Sequence, residues 1–411
     1  VKFNRTRISQ ALAAALGAGF VPYSAAQVVR DGTMGPSGAI AATPISSPRY
    51  TGEFRINASD GQQRGGNLFF SFSQFDVAAN RQATFLGPGD VTNIISRVTG
   101  GAASFVFGGL KSEIAGANLF LINPQGIFFG QNASLDVSGS FYASTAHYVA
   151  LGASGRFDTT NAAATVLTSA PPSAFGFVGP PAAIIVDRSQ LRGAPGAGLT
   201  IAGGTLQISG GSLTAPGGIL SLASVAGAGE VRLAGSEAVP NAGVARGSIE
   251  LTNGAALDAS APAGIPGGKV VIRGGMLTLQ NASAGITNNA AGSAEGVIVD
   301  ATESVSMTQG SAIGAITLGS GSAGPLSVVS PTLTMSASAI TSQSRGPGPA
   351  GPVNVQTNRA TLTAGSYIDS TATAAGPAGD VTVTALESLD LSGSGADGFP
   401  TNIKSVSIDA G

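Results

Sequence analysis

Short apolar runs, broken every few residues by Gly, Pro, Asn or Asp, recur along the whole chain, and beyond residue 181 they become periodic. Val270, Val297, Leu326, Val353 and Val381 open Gly-x-V-x-V-like strands at separations of 27, 29, 27 and 28 residues. A second set, Leu277, Val305, Leu333, Leu362 and Leu389, follows each of these by 7 to 9 residues, and a third, Ile286, Ile313, Ile340 and Ile368, repeats at 27, 27 and 28. Three short strands per repeat, with small and turn-forming residues at the corners, describe one coil of a solenoid whose strands pair with the coils above and below. The pattern predicts an all-β chain, a right-handed parallel β-helix with N-terminal capping strands, in which each apolar set stacks as one internal column. Leu199, Ile219, Val231 and Ile249 open comparable strands at irregular spacing.

The N-terminal half lacks this period but is built around Asn118-Leu119-Phe120-Leu121-Ile122-Asn123-Pro124-Gln125-Gly126-Ile127-Phe128-Phe129-Gly130. Two apolar runs too short for helices flank a polar turn. Pro124 presets its own φ and Gly126 tolerates a positive one, so Asn-Pro-x-Gly is a turn with a mechanism. Upstream, Leu68, Phe70 and Phe72 alternate with Phe69, Ser71 and Ser73, which puts the first three on one strand face. That strand reads as one capping an apolar core; an exposed Phe69 or Phe75 would instead offer a docking point for another protein.

Around the turn lie Asn67-Leu68-Phe69-Phe70-Ser71-Phe72-Ser73-Gln74-Phe75-Asp76-Val77, then Asn93-Ile94-Ile95-Ser96-Arg97-Val98-Thr99-Gly100-Gly101, and downstream Ala133-Ser134-Leu135-Asp136-Val137-Ser138-Gly139-Ser140-Phe141. Val166 to Phe177 continues the likeness. In this order the set resembles the N-terminal secretion (haemagglutination activity) domain of two-partner-secretion exoproteins of the filamentous-haemagglutinin type. The family usually writes the turn Asn-Pro-Asn-Gly, where Gln125 stands here, and an earlier Asn-Pro-Asn-Leu of many members is missing. The resemblance implies a dedicated outer-membrane barrel transporter as partner. It implies a secretion motif at Asn123, Pro124, Gln125 and Gly126, and a transporter-contact region that includes Phe69, Phe75, Ile127 and Phe129. It also implies an adhesin- or haemagglutinin-like exoprotein, secreted or retained at the outer-membrane surface, with a host or cell-surface receptor that the sequence does not identify.

The first 26 residues change the picture of the N-terminus. Lys2, Arg5 and Arg7 precede an apolar stretch from Ala11 to Val21, and Ser24-Ala25-Ala26 forms a small-x-small site. This is the layout of a secretory signal peptide, read by the Sec machinery and signal peptidase and cleaved between Ala26 and Gln27. The expected organisation is therefore a signal peptide at 1–26, a secretion domain at 27–180 and a repeat region at 181–411. Without a polar cap before Gly411, the sequence reads as part of a longer exoprotein.

Composition narrows the function classes. Charged residues make up 10% of the 411 residues, against about 25% on average, and the 61 glycines suit tight corners. A net charge of −2 without a basic cluster argues against nucleic acid. Zero Cys excludes disulfides and thiolate metal sites. His147 is the single histidine, without a neighbouring ligand or base partner in sequence. Asp258, Asp300, Asp369, Asp380 and Asp390 scatter over corners and outer positions, and the nearest acidic pairs, Asp300 with Glu303 and Glu387 with Asp390, read as solvated carboxylates. We expect no enzyme and no cofactor. The alternatives are a β-helix carbohydrate-active enzyme, which needs a convergent charged cluster on one outer face, and the N-terminal delivery part of a contact-dependent toxin or haemolysin, which needs a C-terminal effector.

Overall fold

A computed structural model describes residues 27–408. These form 38 β-strands and two short 3-10 turns, with no α-helix among the described residues. The signal-peptide segment, Ala26 included, lies outside the described residues.

The strands wind into a parallel β-helix with three faces. On the first, Leu68, Ile94, Leu119, Phe141, Leu199, Leu220, Val270, Val297, Leu326, Val353 and Val381 lie in register, each on the next coil. The first periodic set is thus the lower part of a column that runs nearly the length of the solenoid. Ile127–Phe129 pairs with Ile184–Asp187, and Phe141–Ser144 with Leu199–Gly203. The N-terminal module and the repeats therefore share one uninterrupted stack across residue 180.

The other two sets each contain a two-residue slip. On the second face the column is Leu277, Val305, Leu333, Ala360 and Leu389. Leu362 stands one inward position further, under Met335 and above Leu391. On the third face Ile313, Ile340 and Ile368 stack as expected and continue to Ile403. Ile286 does not join them: Ala284 pairs with Ile313, and Ile286 pairs with Ala315 in the neighbouring column. Both displaced residues stay buried. A shift of two keeps a strand residue on the same face, so spacing alone tolerates either register. Volume decides between them, because Ile286 beside Ala284 fills the interior as the Ile313–Ala315 pair does one coil on.

The N-terminal residues close one end with antiparallel strands. Val28–Asp31 pairs with Ser37–Ala39 and with Asn67–Phe75, and Gln62–Arg64 folds back on the same strand. An Asn ladder steadies the following coils. The Asn93 amide donates to Asn67 Oδ1 and the Asn118 amide to Asn93 Oδ1, both at 2.9 Å.

A second sheet lies against the outside of the first face. Gly155–Asp158, Tyr148–Leu151, Pro172–Phe177, Gly229–Ala234 and Glu237–Pro240 pair antiparallel in that order. They cover an outward column of Phe69, Ile95, Phe120 and Tyr142 with Val149, Phe157, Phe175 and Val231. Phe120 and Tyr142 stack at 4.1 Å between ring centroids, and Phe69 meets Phe157 at 5.1 Å. Each large side chain so covered contributes about 1.5–3 kcal/mol, so this layer is a second core. Further along, the same outward column turns polar, through Ser327, Asn354 and Thr382, and the covering sheet ends.

Candidate functional site: the Asn123 corner and its surroundings

The Asn-Pro-Gln-Gly turn joins Asn118–Ile122 on the first face to Ile127–Phe129 on the second. Asn123 is fully buried and uses its side chain completely. Its amide nitrogen donates to the Ala102 carbonyl and to Ser104 Oγ, both at 3.0 Å, and its Oδ1 accepts the Gln125 N–H at 2.9 Å. Its backbone N–H bonds forward to the Ser144 carbonyl at 2.9 Å, and its carbonyl accepts the Gly126 N–H at 3.1 Å. One side chain thereby ties the corner to the coil before it while the main chain ties it to the coil after. Gly126 has φ +116°, and a Cβ there would stand 3.2 Å from the Ala183 carbonyl, so a glycine is required. Gln125 is the exposed member of the turn. Replacing the family's usual Asn by Gln at this position therefore disturbs no packing.

The four residues expected to meet the transporter are not at the surface. Phe69 is covered by the second sheet. Phe75 is buried in the main core against Phe72 and Phe85 at 5.2 and 6.3 Å. Ile127 and Phe129 point inward, 2% and 0% exposed. The physical reason is strand phase: Ile127 and Phe129 share the inner face, so Phe128 between them takes the outer one.

The exposed aromatic surface is the one the sequence reading missed. Phe105, 42% exposed, Phe128 and Ile185 form an outward column on adjacent strands. The Phe128 ring lies 6.0 Å from Phe105 and 5.5 Å from Phe107. This patch begins directly beside Gly126. The alternation Ser104-Phe105-Val106-Phe107 carried the signal, since Val106 sits in the core.

Nearby, a buried cation holds the cap, the first coils and the covering sheet together. Arg97 is fully buried. Its guanidinium donates to Ser71 Oγ at 2.7 Å, to Thr165 Oγ1 and Thr33 Oγ1 at 2.8 Å, and to the Asp158 carbonyl. It also lies 4.4 Å above the centre of the Phe157 ring. Burial lowers its pKa against the pull of Asp31 and Asp158. Asp31 accepts from Ser71 at 2.5 Å, from Thr99 at 2.8 Å and from both the N–H and the hydroxyl of Thr33. Burial raises the Asp31 pKa, but these bonds outweigh it and leave it below the usual carboxylate value.

His147, Asp300 and Glu387 have structural partners. His147 accepts the Val178 N–H at 3.3 Å and is kept neutral by burial, which lowers its pKa against the nearby Asp158. Asp300 pairs with Arg246 at 2.8 Å and Glu387 with Arg359 at 2.5 Å. Among the described residues there is no group of three or more His, Cys, Asp or Glu arranged for a metal. Gln27 is exposed, and its carbonyl accepts the Asp76 N–H at 2.9 Å.

A family model described as the TPS, or two-partner secretion, domain matches residues 26–270. The chain belongs to this family. It is an exoprotein whose N-terminal domain mediates two-partner export, secreted with the help of a partner outer-membrane transporter. The matched span takes in the cap, the Asn123 corner, the Arg97 cluster and the covering sheet. Two solved structures are similar. The HMW1 secretion domain from Haemophilus influenzae is 14% identical, with a TM-score of 0.42 over 86% of this chain and 97% of that one. The filamentous hemagglutinin secretion domain is 16% identical, with a TM-score of 0.34 over 91% of this chain and 99% of that one. No curated protein matches the sequence.

Proposed function

We propose that the chain crosses the inner membrane through Sec and loses residues 1–26. The periplasmic domains of a two-partner outer-membrane barrel transporter then recognise it at the surface beside the Asn123 corner. The observation that carries this reading is the outward-facing apolar column Phe105–Phe128–Ile185, in which Phe105 is exposed and Phe128 and Ile185 are half-buried, in a domain whose other aromatics are mostly covered. Asn123, Pro124 and Gly126 shape and fix this surface, and Gln125 is the turn residue that reaches solvent. The repeats then stand as the stalk of an adhesin-like exoprotein at the cell surface.

The test fractionates cells that express the cognate transporter with each variant. Asn123→Ala combined with Pro124→Ala, and separately Phe105→Ser combined with Phe128→Ser, should accumulate in the periplasm, processed but unreleased. The second pair leaves the interior untouched and so reports recognition rather than folding. Release of both double variants at the wild-type level would refute the proposal.

A further inference from the structure

The outward column starts on a very short strand, Ser104–Val106, which the chain reaches through a loop containing Gly100 and Gly101. Glycines impose little direction on the chain that follows them, so the aim of Phe105 depends on what grips the strand. From the coil after it, the Asn123 side chain holds the Ala102 carbonyl and Ser104 Oγ. From the coil before it, Val77 donates its N–H to the Phe105 carbonyl at 2.9 Å and accepts the Phe107 N–H at 2.8 Å. The remaining grip is a side chain outside the Asn-Pro-Gln-Gly turn: Asp76 Oδ1 accepts the Phe105 N–H at 2.8 Å.

That bond stands where the backbone ladder stops. A parallel ladder continued past Val77 would bring the Phe105 N–H to the Phe75 carbonyl. Phe75 instead ends the first-face strand Asn67–Phe75, paired with Val28 of the cap. Val77 bridges to Val106 as an isolated pair. The Asp76 side chain supplies the missing acceptor. Its own orientation is set from two sides: Oδ2 accepts the Gln74 amide at 2.7 Å, and the Asp76 N–H donates to the Gln27 carbonyl at 2.9 Å. Without the Asp76 oxygen the start of the strand could swing, and with it the Phe105 ring, 42% exposed and 6.0 Å from Phe128.

We propose that Asp76 is a positioning residue for export, fixing the Phe105 end of the outward column in the geometry that the transporter's periplasmic domains meet. It acts through Phe105, whose N–H it holds. The inference rests on the export reading of this column, and one arm of the test separates the two. Asn at this position keeps an Oδ1 for Phe105, and its amide nitrogen can donate to the Gln74 side-chain oxygen once that amide turns over. Ala offers no acceptor.

The experiment pulse-labels cells that express the cognate transporter and follows the rate at which processed chain passes from periplasm to medium. Asp76→Ala should slow release about tenfold or more, whereas Asp76→Asn should stay within about twofold of wild type. Phe105→Ser should also slow release, and adding Asp76→Ala to it should slow release no further, because no ring is left to aim. A merely structural role would lower release by the same factor in both backgrounds. If circular dichroism shows that Asp76→Ala does not fold, Gln74→Ala, which only frees the carboxyl group to turn, takes its place with a smaller slowing expected. Wild-type release of the Ala variant used, beside slowed release of Phe105→Ser, would overturn this inference and leave the export reading standing. Wild-type release of Phe105→Ser would overturn both. Equal losses for Asp76→Ala and Asp76→Asn, or an undiminished effect of Asp76→Ala in the Phe105→Ser background, would overturn the inference as well.

Discussion

Replacing Asn123 by Ala removes three side-chain hydrogen bonds from a site with no access to water. Each is worth about 0.5–1.5 kcal/mol net, and the Ala102 carbonyl and Gln125 N–H left behind add a desolvation cost, so the local loss is about 2–4 kcal/mol. In a solenoid such a loss is felt first where it occurs, because each coil contacts only its neighbours. Amide hydrogen exchange is therefore the sensitive assay. The Gly126 N–H is bonded to the Asn123 carbonyl, the Ser104 N–H to the Gly126 carbonyl, and the Asn123 N–H to the Ser144 carbonyl. In Asn123→Ala these amides should exchange roughly 30- to 1,000-fold faster, the range that 2–4 kcal/mol implies at about 1.4 kcal/mol per factor of ten. Amides around Ile340 should keep their rates. Gln125→Ala, at the exposed position, should change nothing beyond about 0.5 kcal/mol. Unchanged protection at Ser104 and Gly126 in Asn123→Ala would mean that the buried amide does not hold the corner.

Ile340→Ala should cost about 2–5 kcal/mol in urea or thermal unfolding, because Ile340 is fully buried between Ile313 and Ile368; Ile340→Asp should cost more, since it buries an unpaired charge. Acid should loosen the cap: Asp31 and Asp158 both have pKa values held below the ordinary one. Their contribution is thus present above the unfolded value of about 4 and lost as pH falls through the lower folded values. Asp31→Asn should reduce stability at neutral pH and flatten that acid limb, and a melting curve insensitive to this substitution between neutral pH and pH 3 would count against the cluster. N-terminal sequencing of exported protein should begin at Gln27, and a chain still starting at Val1 would reject the processing step.

The solenoid was legible because its inward columns repeat at 27 to 29 residues, and Val270 to Val381 line up as the spacing says. Position within a face was less so. Period-2 alternation assigns a side chain to inside or outside but does not separate adjacent inward columns, and Ile286 and Leu362 each occupy the neighbouring one. Around the Asn123 corner the difficulty was different. Leu68-Phe69-Phe70 and Leu119-Phe120-Leu121-Ile122 are buried on both sides, so continuous apolar runs hid which residue faced out. Nothing local announces that Phe157 and Phe175 return from later in the chain to cover Phe69 and Phe120. At Phe128 the strand is short and uncovered, and there the alternation could have been read correctly.

The Arg97 cluster has a consequence for the order of folding. Its bonds join Arg97 to Thr33 and Thr165 across separations of 64 and 68 residues, whereas its bond to Ser71 spans only the 26 of a coil-to-coil step. Coils can add one at a time, each closing a modest loop, but this junction must gather segments from more than a hundred residues of chain before it forms. A polypeptide passing through a narrow pore presents its residues in succession. Whichever end leads, the cap strand can pair with Asn67–Phe75 and Asp31 can reach Ser71 and Thr99 early, but the Arg97 junction is complete only when residues 33 to 165 are together. By the same loop-closure argument the buried guanidinium completes its bonds after the strands beneath it have paired, closing the covering sheet over a cap that is already in place.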